Sequence, residues 1–203
     1  VYAKSLDGFL TWIWTFDNLV PAFPVLYAGY IMMIGRTCNG AKKGDTVFFK
    51  YEMAEQFLFG GQLGWINADV VRRPKELAFL KKMVNLRWRY RSFFYKGEPL
   101  RPVELATDQP IQITTPAYYD TCLFEAKQVL AGIWRLWDGS KTVLIIINCA
   151  ETVSSFVIFA RDSCFQSAHI IEGKGTLAEI RRENNGLLLK GKIYPEDFLV
   201  IKI

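Results

Sequence analysis

Histidine is almost missing from this sequence: His169 is the single one in 203 residues. Catalysis by a Ser-His-Asp or Cys-His arrangement needs an imidazole base. The one available falls in a β-rich second half, so no such site can be built from the first. Cysteine is scarce too. Cys38, Cys122, Cys149 and Cys164 are widely spaced with no C-x-x-C, a pattern that signals neither a zinc centre nor a dithiol. Cys149, after Ile145-Ile146-Ile147-Asn148, reads as a buried small hydrophobe. No G-x-x-x-x-G-K-S/T or G-x-G-x-x-G stretch is present to cradle a phosphate, and no metal or cofactor is assigned. The longest apolar run, Val143 to Ile147, is far short of the roughly 20 residues of a membrane span, so no membrane partner is expected. Val1-Tyr2-Ala3-Lys4-Ser5 shows neither an initiator Met nor a signal-peptide layout. The expectation is a removed leader or a C-terminal piece of a longer protein.

What is present in excess is aromatic: 6 Trp, 9 Tyr and 15 Phe make 15% of the chain. That load suits a large packed core, a carbohydrate-stacking surface, or both. Hydrophobic residues at 51% and charged residues at 22% are ordinary for a compact soluble protein. The net charge of +5 is unevenly spread, with ten cations between Arg72 and Arg101 facing only Glu76 and Glu98. Nucleic-acid binding would require those cations to form an exposed stripe. Much of the segment is apolar instead, and Arg87 and Arg91 alternate with Trp88 and Tyr90, as in a helix docked against a larger body. No nucleic-acid partner is assigned.

Two textures divide the chain. Up to about Gly97, Val25 to Ile34 is a near-continuous apolar run, as expected of a parallel strand buried on both faces. A helix from Val47 to about Phe59 follows, with Thr46 as its cap and Gly60-Gly61 as its stop. Leu63 to Ile66 reads as a short buried strand or strand-like turn. Pro74 is placed as the first residue of the longest helix, running to about Tyr95. Phe79, Met83, Leu86, Tyr90 and Phe93 form its apolar stripe, widened by Leu77, Leu80, Val84 and Trp88.

After Glu98 come short β-segments: Ile111 to Thr114, Gln128 to Leu136, Thr142 to Asn148, Ser154 to Phe159, Ala168 to Ile171, Thr176 to Arg182, Gly186 to Lys190 and Phe198 to Ile203. Asp138-Gly139, Gly173-Lys174-Gly175 and Asn184-Asn185-Gly186 read as hairpin turns. The fold class is therefore α/β followed by all-β: residues 1–97 as the closing part of a (β/α)8 barrel, and 98–203 as an antiparallel β-sandwich. A small α/β layer of its own is the alternative for the first half.

The order of these pieces resembles the end of α-galactosidase-like glycoside hydrolases. More closely, Asp7-Gly8-Phe9-Leu10-Thr11-Trp12, Val20-Pro21-Ala22-Phe23-Pro24-Val25-Leu26-Tyr27, Gly29-Tyr30, Ala54-Glu55-Gln56-Phe57 and Gly60-Gly61-Gln62-Leu63-Gly64-Trp65 resemble the glycosidase-like DUF6259 family of gut bacteria. Leu130 to Asn148 and Ile193 to Val200 are similar to the opening and closing strands of that clan's sandwich. The resemblance implies a retained or degenerate glycosidase scaffold whose nucleophile-bearing strands come earlier than this sequence. It also implies a carbohydrate substrate and, for a glycan-degrading parent, a periplasmic or extracellular location.

Glycoside hydrolysis uses two carboxylates about 5 to 9.5 Å apart, with sugar-stacking aromatics nearby. Asp7, ahead of Phe9, Trp12, Trp14 and Phe16, is the best single candidate for one of them, with a turn aspartate as the competing reading. Glu52, Glu55 and Asp69 are weaker, because a glutamate in mid-helix is usually solvated or ion-paired. Trp12, Tyr30, Gln62 and Trp65 are the candidate substrate contacts, the last two at the mouth of the expected final barrel strand. A non-catalytic sugar-binding or structural module is the alternative function. The sugar, the linkage and the oligomeric state are not legible.

Overall fold

The structure is a computed structural model that describes residues 22–33, 46–63, 66–101, 103–107, 110–116, 121–183 and 185–203. The chain divides into two compact units, one of Val1–Lys96 with Ile111–Ala126 and one of Gly97–Pro110 with Lys127–Ile203. The described part is mostly antiparallel β-sheet with few helices.

In the first unit the described elements are helices α1 (Ala22–Tyr27), α2 (Thr46–Leu58), a 3-10 turn (Ala68–Arg72), α3 (Pro74–Arg89) and α4 (Arg91–Lys96), with most of the paired strands β3 (Pro110–Pro116) and β4 (Thr121–Lys127). The expected strand over Val25 to Ile34 is not formed in its described residues. Pro24 sits in the first turn of α1, where its missing N–H costs nothing, and its carbonyl accepts the Ala28 N–H at 2.9 Å. Of residues 24–33 only Pro24, Ala28 and Met33 are buried, while Val25, Leu26, Tyr27, Tyr30, Ile31 and Met32 are exposed. An unbroken apolar run carries no period, so helix and strand cannot be told apart in it.

The helix α2 forms as expected, with Thr46 as its first residue rather than its cap. It ends in a Schellman motif: Gly61 N–H donates to the Gln56 carbonyl and Gly60 N–H to that of Phe57, both at 2.9 Å. Gly60 takes the left-handed φ of 74° that this motif favours in glycine. Every residue from Phe48 to Leu58 is buried, including Lys50, Glu52, Glu55 and Gln56. Glu52 and Glu55 are thus interior carboxylates and not solvated ones.

Pro74 is the first residue of α3, and Phe79, Met83, Leu86 and Phe93 are buried as the stripe requires. The single long helix is broken, however, at Tyr90, which leaves helical geometry at φ −99° and ψ 16°. Val84 and Trp88 are exposed rather than part of the stripe. Glu76 is buried in the first turn and ion-paired with Arg73. Burial pushes its carboxyl above the usual carboxylate range, against the pull of Arg73.

One contact ties three of these helices together. The Arg87 guanidinium donates from Nη2 to the Gly60 carbonyl at 3.0 Å and lies 4.5 Å over the Phe94 ring. Phe94 in turn meets Phe57 edge to face at 5.2 Å. The end of α2, the face of α3 and the start of α4 therefore share one anchor.

The second unit contains strands β1 (Gly97–Pro99), β2 (Glu104–Thr107), β5 (Val129–Leu136), β6 (Thr142–Asn148), β7 (Ser154–Arg161), β8 (His169–Gly173), β9 (Gly175–Glu183), β10 (Gly186–Ile193) and β11 (Phe198–Lys202). They form a five-stranded sheet in the order β1-β5-β6-β11-β8 and a four-stranded sheet in the order β2-β7-β10-β9. Alternate residues of both sheets enter one core, among them Ala131, Ile133, Leu144, Ile146, Phe156, Ile158, Leu187, Leu189, Leu199 and Ile201. All seven residues of β6 are buried, so its outward Val143, Ile145 and Ile147 are covered as well as its inward set. Cys149 is free and buried.

Asp138-Gly139 and Asn185-Gly186 close hairpins between β5 and β6 and between β9 and β10. Gly173-Lys174-Gly175 does something else: β8 belongs to one sheet and β9 to the other, so this turn is a corner between sheets. Gly173 adopts φ 103°, and a Cβ there would run into the Phe198 carbonyl oxygen.

Asn148 is fully buried at the end of β6. Its Nδ2 donates to the carbonyls of Thr152 at 2.7 Å and Tyr194 at 3.0 Å, and its Oδ1 accepts the Ala150 N–H at 3.0 Å. The loop after β6 and the loop before β11 are thereby fastened by one amide.

Two outcomes follow for urea denaturation of the chain. Arg87→Ala, which strips the Gly60 carbonyl of its donor and leaves a void beside Phe94, is expected to cost about 2–3 kcal/mol. Asn148→Asp keeps the shape but points a carboxylate at two carbonyls. It should cost about 2–4 kcal/mol at neutral pH. Because only the protonated acid can donate, the introduced carboxyl has a higher pKa in the folded state than in the unfolded one, so stability should be regained as pH falls through it. A pH-independent deficit would count against this reading of the amide.

Candidate functional site

Asp7, Trp12 and Trp65 lie outside the described residues. Of the remaining sequence candidates, Tyr30 is 77% exposed and Gln62 is partly buried just past the Schellman turn of α2. The Gln62 N–H donates to the Met33 carbonyl at 2.8 Å, and its Nε2 to the Met32 sulfur at 2.8 Å. Asp69 is half exposed, with Arg73 at 3.4 Å, an ordinary surface pair of small energetic weight.

Gln62 opens onto a groove of about 390 Å³ in the first unit, lined by Gln62, Leu63, Val84, Asn85, Arg87, Trp88, Arg91 and Tyr95. Its wall is the side of α3 turned away from Met83 and Leu86. At about 100° per residue, Trp88 stands roughly 200° round the helix from Leu86, which is why it cannot join the buried stripe. The break at Tyr90 then redirects α4, so that Arg91 and Tyr95, one helical turn apart, reach the same groove. Tyr30 is not among the lining residues.

Trp88 is 68% and Tyr95 51% exposed. Two exposed amphipathic aromatics and the amides of Gln62 and Asn85 line the same groove and combine apolar stacking faces with hydrogen-bonding groups. That is the composition of a small-molecule site. Arg91 is stacked 4.3 Å over the Trp88 ring and donates from Nη1 to the Trp88 carbonyl at 2.8 Å. Arg87 presents its other terminal nitrogen, Nη1, buried and without a hydrogen-bond partner. Desolvation pulls its guanidinium below the ordinary range, offset in part by Tyr95.

No Asp or Glu is among the described lining residues. Among the described residues no group of three or more His, Cys, Asp or Glu could hold a metal ion, and no helix is long and apolar enough to cross a membrane. A shallower depression in the second unit, between Phe159, Arg161, Arg182, Glu183 and Asn185, has its arginines engaged. Arg161 is paired with Glu104, and Arg182 donates to Gln166 at 2.8 Å.

Periodicity puts Trp88 in the packed stripe and the neighbouring arginines on a docking face, and so misses this surface apart from Gln62. The available signal is the alternation Arg87-Trp88-Arg89-Tyr90-Arg91. It puts an aromatic among cations on the side of the helix opposite its core face.

No family model matches the chain. Over 146 residues, 68% of its length, it is 27% identical to a Bacteroides thetaiotaomicron protein named "Putative glycoside hydrolase", and the match spans 20% of that protein. A Monosiga brevicollis protein with the same designation is 34% identical over 73 residues, 32% of this chain and 6% of the relative. The chain thus spans about a fifth, or less, of the curated relatives it matches. Among solved structures, a debranching enzyme from Nostoc punctiforme superposes with a TM-score of 0.44 at 10% identity, covering 79% of this chain and 32% of that one. An alpha-amylase from H. orenii gives 0.29, also at 10% identity, over 63% and 20%. Overlaps of that size do not establish a shared fold. What the comparisons do show is similarity in sequence to proteins named as glycoside hydrolases.

Proposed function

We propose that this chain is part of a carbohydrate-active enzyme and that the groove beside α3 is one of its saccharide-contacting surfaces. The observation that carries the reading is the pairing of exposed Trp88 and Tyr95 with Gln62 and Asn85 around one concave surface whose described lining carries no carboxylate. Sugars present flat C–H faces ringed by hydroxyls, and stacking aromatics with interposed amides match both. The similarity to proteins named as glycoside hydrolases supports the same substrate class.

In this proposal residues 1–97 are the closing part of a (β/α)8 barrel and 98–203 its accompanying sandwich. Glycosidic bonds are cleaved by paired carboxylates, Asp7 being the one assigned from this chain and its partner coming from elsewhere in the longer protein. Trp12, Tyr30 and Trp65 are proposed as further substrate contacts. A purely binding role is the second reading, favoured by the absence of Asp and Glu from the described lining of the groove.

The two readings part in an assay of aryl glycosides and plant or host glycans with the longer protein. The enzyme reading expects turnover that falls at least about 10²-fold in Asp7→Asn. Intact turnover in that variant removes Asp7 from the mechanism, and no turnover with retained glycan binding leaves the binding role. In either case Trp88→Ala should weaken glycan binding by about 1 kcal/mol, roughly a several-fold rise in Kd by calorimetry. An unchanged Kd would exclude the groove.

A further inference from the structure

The groove carries a charge that a neutral sugar does not use. Arg87 and Arg91 both line it, and no carboxylate is paired with either among the described residues. Arg73, Arg135, Arg161 and Arg181 show the contrast, each lying within ion-pair distance of a glutamate. Arg87 commits Nη2 to the Gly60 carbonyl and holds Nη1 buried without an acceptor. A buried cationic donor left open is costly, and the acceptor that relieves it best is an anionic oxygen, since charge-assisted hydrogen bonds are the strong ones. Arg91 is held by its Trp88 stack and by one backbone carbonyl, so its guanidinium is set in place before any ligand arrives. The surrounding segment of the same unit adds to the field, with nine cations against the single acid Glu76 between Arg72 and Lys96.

We propose that the groove selects an anionic saccharide, with Arg87 and Arg91 receiving a carboxylate or sulfate carried by the sugar while Trp88 or Tyr95 stacks on its ring. This rests on the saccharide reading above and narrows it to acidic glycans. The separation of tasks follows from the chemistry: the aromatics recognise any pyranose face, whereas the arginines favour only the charged substituent. A tetrahedral sulfate and a planar carboxylate both suit a guanidinium, so the two sources share one recognition chemistry.

The test is calorimetric titration of the full chain with four ligands: an oligogalacturonate, a sulfated galacto-oligosaccharide, a neutral galacto-oligosaccharide of equal length, and inorganic sulfate. A single-stranded oligonucleotide serves as a fifth arm. The expected result is binding of at least one acidic sugar at least about tenfold tighter than the neutral one, with the preference shrinking as salt screens the arginines. Whichever acidic sugar binds identifies the substituent. Arg91→Gln, an exposed change that leaves the helix anchor intact, should abolish the preference, so that acidic and neutral sugars bind that variant with equal affinity. Trp88→Ala should weaken both.

Equal affinity for neutral and acidic sugars would overturn this proposal and leave the saccharide reading standing. Inorganic sulfate bound as tightly as the sulfated sugar, the oligonucleotide bound more tightly than either acidic glycan, or no sugar bound at all would overturn both. An Arg91→Gln protein that retains the full preference would also sink the assignment. Arg87→Lys, which keeps the charge but loses the planar fork, checks the second arginine: a preference that survives unchanged excludes its role.

Discussion

The first unit depends on the Arg87 guanidinium. It is partly buried, it donates to the Gly60 carbonyl just past the end of α2, and it lies over the Phe94 ring of α4. Helix ends expose carbonyls that nothing inside the helix can pair with, and a planar cation that stacks on one side and donates at its edge suits that place better than a lysine would. The break at Tyr90 lets α4 fold back so that Phe94 is there to be covered. The same guanidinium that organises the helices belongs to a residue lining the groove, with its second terminal nitrogen buried and without a hydrogen-bond partner.

The second unit is organised by apolar burial instead. Its central strand β6 is covered on both faces, and the two sheets share a core of alternating aliphatic residues. Asn148, buried at the end of β6, is fastened by donors to two loops and by an accepted N–H from a third residue. Buried amides that are fully used in this way position loops without weakening the core. The arginines lining its shallow depression are paired, which leaves it without a groove of the kind found beside α3 among the described residues.

Much of this is legible because strands and caps are local. The two-residue alternation of Ser154 to Phe159 and the apolar block Thr142 to Asn148 mark their strands within a residue or two. Pro74 and Gly60-Gly61 mark a helix start and a helix stop through backbone constraints that belong to those residues alone. Three short or edge elements, β1, β2 and β4, carry no periodic signal that would announce them. The run from Val25 to Ile34 misleads for the opposite reason, being too uniformly apolar to show a period, and Gly173-Lys174-Gly175 has the composition of a hairpin while joining two different sheets. Turn chemistry states that the chain bends; which strands it then pairs is a long-range matter.

The candidate site divides along the same line. Residue chemistry alone established that the positive charge is concentrated in one segment and that Gln62 follows a helix-ending glycine pair. Only the tertiary structure decided that Trp88 faces outward, that the long helix breaks at Tyr90, and that Arg87, Arg91, Tyr95 and Gln62 meet around one concavity with no acidic residue in its described lining. The physical reason is that helical spacing orders side chains around an axis but does not say which side another element will cover. That choice is made by packing partners distant in sequence, here the end of α2 against α3 and α4.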